Sequence, residues 1–409
     1  MLNGIHIVDF GNHRDTELRF GKFTALVGQN GAGKTNVMRA IRALSNTAGK
    51  IRFANLSGYG RIGGKKTKIA AGWYVKFWDY EGEGHGDRGV EISDGSMHKW
   101  YWRKRVAKGD VPWIPGFQRN SPGPGKDKMH RVFEPGNPPD LRPGEILEIT
   151  GSSVPRLQWS SNYFKLSSER LRGASYTEVN PPTLLEDGSE FAWTLAYLMT
   201  AKPECFREIM DALREIVPMV KNVRAQPARI ARIERKSVTI NRQEHAYDEE
   251  QAVMGQELIF DMVSGSGQPA SFVSDGTLIV LAILTAIIHG NSESEMKTIL
   301  LDDIEQGLHP KAQRDLIRQL RRLQEVRPEL QIIVSSHSPY VVDELAPEDV
   351  WLFAPDKEGC AAYARLSDHP DVNRALKVLT TGEFWSSEGE EWVLDSKKRA
   401  HHREKQPVS

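Results

Sequence analysis

Three short stretches hold residues whose types and spacing can do chemistry. The first, "GQNGAGKT" from Gly28 to Thr35, fits G-x-x-x-x-G-K-[ST] and stands between an apolar run, "FTALVG", and a helical pattern, "TNVMRAIRALS". Glycines at 28, 31 and 33 free the backbone to turn its amides toward one anion. The helix start adds partial positive charge, Lys34 a full one, and Thr35 a hydroxyl that a hard cation accepts. That is the chemistry of nucleotide phosphates and their Mg²⁺. Gly28, Asn30, Gly31, Ala32, Gly33, Lys34, Thr35 and Asn36 are the expected binding residues, with Lys34 also bridging β- and γ-phosphate oxygens during reaction. A glycine-rich turn arisen by chance is the bland reading, and the flanking strand and helix count against it.

The second stretch, "ILLDDIEQGLHP", ends an apolar strand on two adjacent carboxylates. Neighbouring strand side chains point to opposite faces, but at the carboxyl end the twist into a loop lets both acids reach one ligand. Two like charges in one place point to a cation or to a reaction between them. Beside a phosphate loop, Asp302 is expected to hold Mg²⁺ and Asp303 to act as the general base facing the water that attacks the γ-phosphate. For Asp303 the bland alternative is a solvated turn residue or a cap for the helix after Pro310. Glu305 is a further acidic candidate. The third stretch, "QIIVSSHSPY", places His337 at the carboxyl end of another strand, where it can donate to a γ-phosphate oxygen. A weaker signal is "FVSDGT": Ser274, Asp275 and Gly276 open an apolar helix, a second anion-ready helix start without a lysine. Alone it is an ordinary cap, but one nucleotide seldom needs two phosphate grips, so its natural use is the nucleotide of another copy.

The elements that must position these residues follow from periodicity. Residues 2 to 10 and 16 to 27 alternate like strands, and the phosphate loop then leads into a helix. Residues 50 to 150 change character, with runs such as "GWYVKFWDY" and "HKWYWRKRV" broken by Gly, Pro and Lys, and read as an antiparallel β subdomain; inside it, 112 to 144 has no period and reads as a long irregular loop. Residues 184 to 221 read as helical and 255 to 263 as a strand. A helix follows, capped by Ser274 or Asp275 and ended by Gly290. The last third alternates strand (298 to 302), helix (310 to 326), strand (330 to 335) and helix (339 to 345), the rhythm of a parallel sheet. The expected organisation is an ATP-binding core from 1–50 and 255–395, the β subdomain over 51–150, a helical lid subdomain over 151–254, and a charged, disordered tail over 396–409.

Composition excludes more than it proves. The 409 residues hold 54 Lys and Arg against 54 Asp and Glu, so no global field points to nucleic acid, membrane or acidic substrates. Basic surplus is local, over 61 to 131 among Trp73, Trp78, Trp100 and Trp102, and over 221 to 236 in Lys221, Arg224, Arg229, Arg232, Arg235 and Lys236 against Glu234. Such patches suit phosphodiester backbones, or are merely solvated faces. Cys205 and Cys360 form no metal spacing and fit a reducing compartment. The start lacks a secretory pattern and the longest apolar run, 278 to 288, is too short for a bilayer, so a cytoplasmic protein is expected.

Taken in order, these motifs resemble the ABC-class ATPases, specifically the soluble branch that includes RecF, SMC-type heads and OLD-family proteins. "GQNGAGKT" matches Walker A, "VSDGT" the signature, "ILLDD" Walker B, "GLHP" the D-loop and "SSHSP" the switch histidine. "IHIVDFGNHRDTELRF" is similar to the first strands of that branch, and "TGEFWSSEGEEWV" to a C-terminal element of small bacterial OLD-like ATPases, many of which serve anti-phage defence. The resemblance implies an α/β P-loop NTPase of ABC type: a mixed, largely parallel sheet core, an antiparallel β subdomain and a helical lid. It implies two heads sandwiching two ATP, each between Walker A of one copy and the signature of the other, with His309 near the seam. It also implies an effector, a nuclease or toxin encoded nearby, or a bound nucleic acid, and no membrane. Three departures stand out. The signature is "VSDGT", which argues against a transporter subunit. "YFKLSSERLRG" fills the Q-loop position without a Gln, leaving Ser167, Ser168 and Arg170 as candidates. Asp303 replaces the usual Glu and shortens the base by a methylene, which implies slow hydrolysis. The alternatives are a nucleotide-gated scaffold with little turnover and a RecF-like DNA repair ATPase. No nuclease is expected within this chain.

Overall fold

The computed structural model describes residues 2–45, 67–76, 83–93, 96–105, 146–150, 159–240, 243–289 and 296–394. The expected irregular loop over 112–144, the Gly290 cap and the tail from 396 lie outside them. The chain divides into two compact units: residues 1–163, 294–300 and 326–409 in the first, and 164–293 and 301–325 in the second.

The first unit holds two sheets. One is antiparallel, in the order β2-β1-β4-β5-β6-β7, built from β1 (Leu2–Phe10), β2 (His13–Arg19), β4 (Thr67–Lys76), β5 (Glu83–Ser93), β6 (Ser96–Arg105) and β7 (Ile146–Thr150). The other runs β15-β14-β3-β13-β12-β8, from β3 (Phe23–Gly28), β8 (Trp159–Phe164), β12 (Met296–Leu301), β13 (Leu330–Ser336), β14 (Val350–Pro355) and β15 (Ala361–Arg365). β13 and β14 flank β3 in parallel and β15 closes the edge antiparallel. β3 and β13 are buried along their whole length, as expected of strands covered on both faces. Helix α1 (Lys34–Ser45) shares one core with both sheets: Val37, Met38 and Ile41 pack among Ile5, Ile7, Phe10, Leu18, Leu26, Ile333 and Phe353. Short helices α7 (Pro339–Val342), α8 (Val372–Ala375) and α9 (Thr381–Glu388) complete the unit. Asp343 ties α9 to α7, accepting from the Thr380 hydroxyl at 2.6 Å and the Gly382 amide at 3.0 Å.

The second unit holds α2 (Ser168–Arg172), α3 (Phe191–Ala201), α4 (Pro203–Ile216), α5 (Asp275–His289) and α6 (Pro310–Val326) with a three-stranded sheet, β11-β10-β9. Helix α5 is apolar all round and buried from Gly276 to Ile288, the pattern of a helix at the centre of a core. No helix among the described residues is long and apolar enough to cross a membrane. β9 (Val220–Ile240) and β10 (Gln243–Met262) form one long antiparallel ribbon, with β11 (Gly265–Pro269) beside its base. The sequence placed only residues 255 to 263 of this ribbon in a strand. Much of it is wet on both faces, with Arg229, Ala231, Arg232, Ala252 and Met254 all exposed, so the inside-outside alternation that marks a half-buried strand is missing. Part of the basic run on β9 is neutralised locally: Arg224 is bidentate to Asp261 at 3.0 Å, and Arg232 meets Glu178 at 2.9 Å.

Candidate nucleotide site

In the first unit, β3 delivers the chain to the phosphate loop and α1 takes it away. Gly28, Gly31 and Gly33 have φ of 138°, 78° and 113°, values that L side chains rarely adopt, so the glycines are required by the turn itself. At Gly28 space is also closed, since a Cβ would lie 2.1 Å from the Phe353 carbonyl oxygen on β14. The Lys34 ammonium folds over the loop and donates to the Gly28 and Gln29 carbonyls at 2.6 and 2.9 Å. It therefore lies over the first turn of the loop. Asn36 and Val37 amides close on the Gly33 carbonyl, starting the helix that carries Thr35.

Two further residues brace this loop from the turn between β1 and β2. Asn12 donates to the Gly31 carbonyl at 3.0 Å and accepts from the Asn36 amide group at 3.1 Å. His13 is fully buried, with Nε2 3.0 Å from the Gly33 carbonyl and Nδ1 3.0 Å from the Thr16 hydroxyl. A carbonyl only accepts, so Nε2 carries the proton, and in the neutral ring Nδ1 takes the hydroxyl's. Sequence reading missed both residues. The signal was present, since a polar "GNH" turn joins two apolar strands, but nothing in it says which loop it touches.

His337 follows the last residue of β13. The parallel register pairs Ser336 with Val27, so His337 comes level with Gly28, at the threshold of the phosphate loop. It is exposed, and Ser336 and Ser338 shape its turn: the Ser338 amide donates to the Ser336 hydroxyl at 3.0 Å and the Ser338 hydroxyl caps α7.

The paired acids lie in the second unit. Asp302 follows directly on β12; its amide donates to the Phe164 carbonyl at 2.9 Å and its side chain is wholly buried. Asp303 is half-buried and sits in the left-handed region with φ 55°, where Asp is tolerated better than most residues because its short carboxyl can hydrogen-bond locally. Glu305 is buried at 6 % exposure within the turn after the pair, whereas His309 is exposed at the start of α6. Of the Q-loop candidates, Ser167 and Ser168 begin α2, and Arg170 turns to Asp187 at 3.7 Å. It is Lys165 that reaches the acids, 3.5 Å from Asp302 Oδ2 and 3.2 Å from Asp303 Oδ2. Partial burial works against its charge, yet attraction to Asp302 and the hydrogen bond with Asp303 raise its pKa on balance.

Ser274, Asp275 and Gly276 open α5, and two contacts hold them. Arg172 from α2 donates to the Val273 carbonyl at 2.9 Å and to Asp275 Oδ1 at 2.5 Å. Gly276 packs directly on the D-loop segment, where a Cβ would come within 2.6 Å of the Gly307 carbonyl oxygen. The Ser274 hydroxyl meets that of Thr277 at 2.8 Å.

The Thr35 hydroxyl and the Asp302 carboxylate are each oxygen donors of the kind a hard cation accepts. Among the described residues no group of three or more His, Cys, Asp and Glu could hold a metal. Such oxygen donors fit Mg²⁺, which keeps several waters and binds through one or two carboxylates plus substrate phosphates.

Comparison with known proteins agrees with this chemistry. A family described as "AAA domain, putative AbiEii toxin, Type IV TA system" matches residues 151–343, and one described as "AAA ATPase domain" matches residues 1–83. The DNA replication and repair protein RecF of Allorhizobium ampelinum is 38% identical over 96 residues, which is 23% of this chain and 23% of that protein. The chain thus spans less than a quarter of the length of the curated relative it matches. Among solved structures, an SMC head bound to the C-terminal winged-helix domain of ScpA is 13% identical over 92% of this chain and 99% of that one, with a TM-score of 0.48. RecF bound to ATPγS, described as a recombination mediator, is 10% identical over 89% and 98%, with a TM-score of 0.41.

Proposed function

We propose that the chain is an AAA-type ATPase of the ABC class, RecF- and SMC-like in kind, that closes head to head with a second copy around ATP and passes its nucleotide state to a partner. The observation that carries this reading is the second phosphate-ready helix start. Ser274 to Gly276 open a long, buried helix, held by Arg172 and by Gly307, and form a second anion-ready start in a chain that already has a phosphate loop. A grip of this kind finds its natural use on the nucleotide of another copy.

In this reading Gly28 to Asn36 bind the phosphates, with Lys34 on the β- and γ-oxygens. His337, level with Gly28, donates to the γ-phosphate. Asp303 takes a proton from the attacking water, while Glu305, being buried, supports the turn that presents Asp303. Mg²⁺ held by Thr35 and Asp302 would neutralise charge developing on the phosphates. His309, exposed beside the signature, faces the second copy.

The partner we infer is a separate effector, a nuclease or toxin encoded nearby, as in anti-phage defence. The match to a family whose description names a toxin system supports this, and the short RecF match supports DNA repair as the second reading. Light scattering after gel filtration tests the core of the proposal. Mass is expected to double with ATP in an Asp303→Asn variant and to stay monomeric without it. A monomer at saturating ATP overturns head-to-head closure. If turnover of the unaltered protein is no faster than that of Asp302→Ala, the chain is a nucleotide-gated scaffold instead.

A further inference from the structure

Lys165 is placed where a divalent cation would compete with it. The chain leaves β8 at Phe164, whose carbonyl takes the Asp302 amide, and the next residue turns its ammonium between Asp302 and Asp303. Asp302's carboxylate is shut off from water, and a charge in that position needs a positive neighbour. Lys165 supplies one. Its own side chain is 52% exposed, on a four-carbon stem, so the ammonium can withdraw into water with little loss. A dipositive ion drawn to Asp302 would stand within a few ångströms of that ammonium and repel it. These two acids are, moreover, the protein's own contribution near Walker B, with no larger acidic cluster among the described residues to bind metal independently.

We propose that Lys165 is a positioning residue that competes with the divalent cation. It holds Asp302 and Asp303 while nucleotide is absent, then yields Asp302 to the cation that arrives with the phosphates and keeps Asp303, the nearer of the two. While Lys165 stands there the two acids bind a cation weakly, and metal and nucleotide enter together. The inference rests on the proposed role of Asp302 as a metal carboxylate.

Mn²⁺ alone is the probe, followed by the electron paramagnetic resonance signal of the free ion over the nucleotide-free full chain. Lys165→Met is expected to bind Mn²⁺ about tenfold more tightly than the unaltered protein, since one unit charge a few ångströms away is removed. Lys165→Arg, which keeps the charge, is expected to match the unaltered protein, and Lys165→Met combined with Asp302→Asn to lose the gain. A companion measurement is the Mn²⁺ concentration giving half-maximal ATP turnover in the unaltered protein and in Asp302→Asn. Equal Mn²⁺ affinity for Lys165→Met and the unaltered protein, with Asp302→Asn requiring far more Mn²⁺, overturns the competition alone. Asp302→Asn with an unaltered Mn²⁺ requirement overturns the metal role of Asp302 itself.

Discussion

Replacing Asp303 by Asn separates the chemistry of this residue from its place in the fold. The change is isosteric, and both Asp and Asn accept the left-handed backbone found there at φ 55°. Among the local losses is the ion pair with Lys165, 3.2 Å long between side chains that are 52% and 31% exposed. A pair so open to water is worth about 0.5 kcal/mol or less, and in a chain of this size that lowers the melting temperature by roughly 2 °C at most. A general base, by contrast, contributes about 10²- to 10⁴-fold in rate. Asp303→Asn is therefore expected to bind ATP as the unaltered protein does, to melt within about 2 °C of it, and to lose at least about 10²-fold in turnover. Steady-state phosphate release, nucleotide titration by calorimetry and a thermal melt measure the three. Turnover above a tenth of the original rate places the base elsewhere, and a fall in melting temperature beyond about 5 °C makes the loss structural.

Further changes test neighbouring parts of the reasoning. Gly28→Ala puts a Cβ 2.1 Å from the Phe353 carbonyl at a φ of 138°, so a loss of at least about 2 kcal/mol in chemical denaturation and undetectable ATP binding are expected. Arg172→Ala frees Asp275 and the Val273 carbonyl; monomeric ATP affinity should hold while ATP-dependent doubling of mass weakens at least about tenfold, at the cost of roughly 2 kcal/mol of lost charged hydrogen bonds. Lys297 is buried in β12, and burial pulls its pKa down to about 8. Above pH 8 the folded chain gives up this proton while the unfolded chain keeps it to about pH 10.5, so the unfolded state binds more protons and stability from this group rises with pH across that window. Lys297→Met should remove the rise and stabilise the chain at pH 7 by about 2–3 kcal/mol, read from urea denaturation at pH 7 and 10.

How far the sequence revealed the molecule depended on where each signal lived. The α/β class and the parallel strands around β3 were legible because "FTALVG" and "QIIVSS" are apolar throughout, as strands covered on both faces must be. Helix α6 was legible over 310 to 326 because Pro310 opens it and Leu316, Ile317, Leu320 and Leu323 recur at helical spacing. The phosphate loop was legible since its glycines, lysine and hydroxyl are contiguous. Contacts distant in sequence were not. Lys165 lies 137 residues from Asp302, and a lysine after a strand reads as an ordinary surface residue until β8 is known to lie beside β12. The bracing of Gly33 by His13, and of Asp275 by Arg172, escaped for the same reason. Glu305, two residues past the acid pair, could be read as another site carboxylate or as a structural one, and the structure buries it in the turn.

The ribbon of β9 and β10 adds a mechanical dimension. Its antiparallel ladder runs without interruption from Gln243 opposite Ile240 down to Asp261 opposite Asn222. At about 3.3 Å per residue it is roughly 60 Å long. Its base is fixed by buried Val220, Val223, Leu258 and Phe260, and after β10 the chain turns back as β11, which ends within a few residues of Ser274. A stiff rod clamped at one end converts angle into distance. A tilt of about 5° at the base sweeps the tip through roughly 5 Å over such a length. A small change of angle at the base would thereby be displayed, enlarged, at the far end of the ribbon.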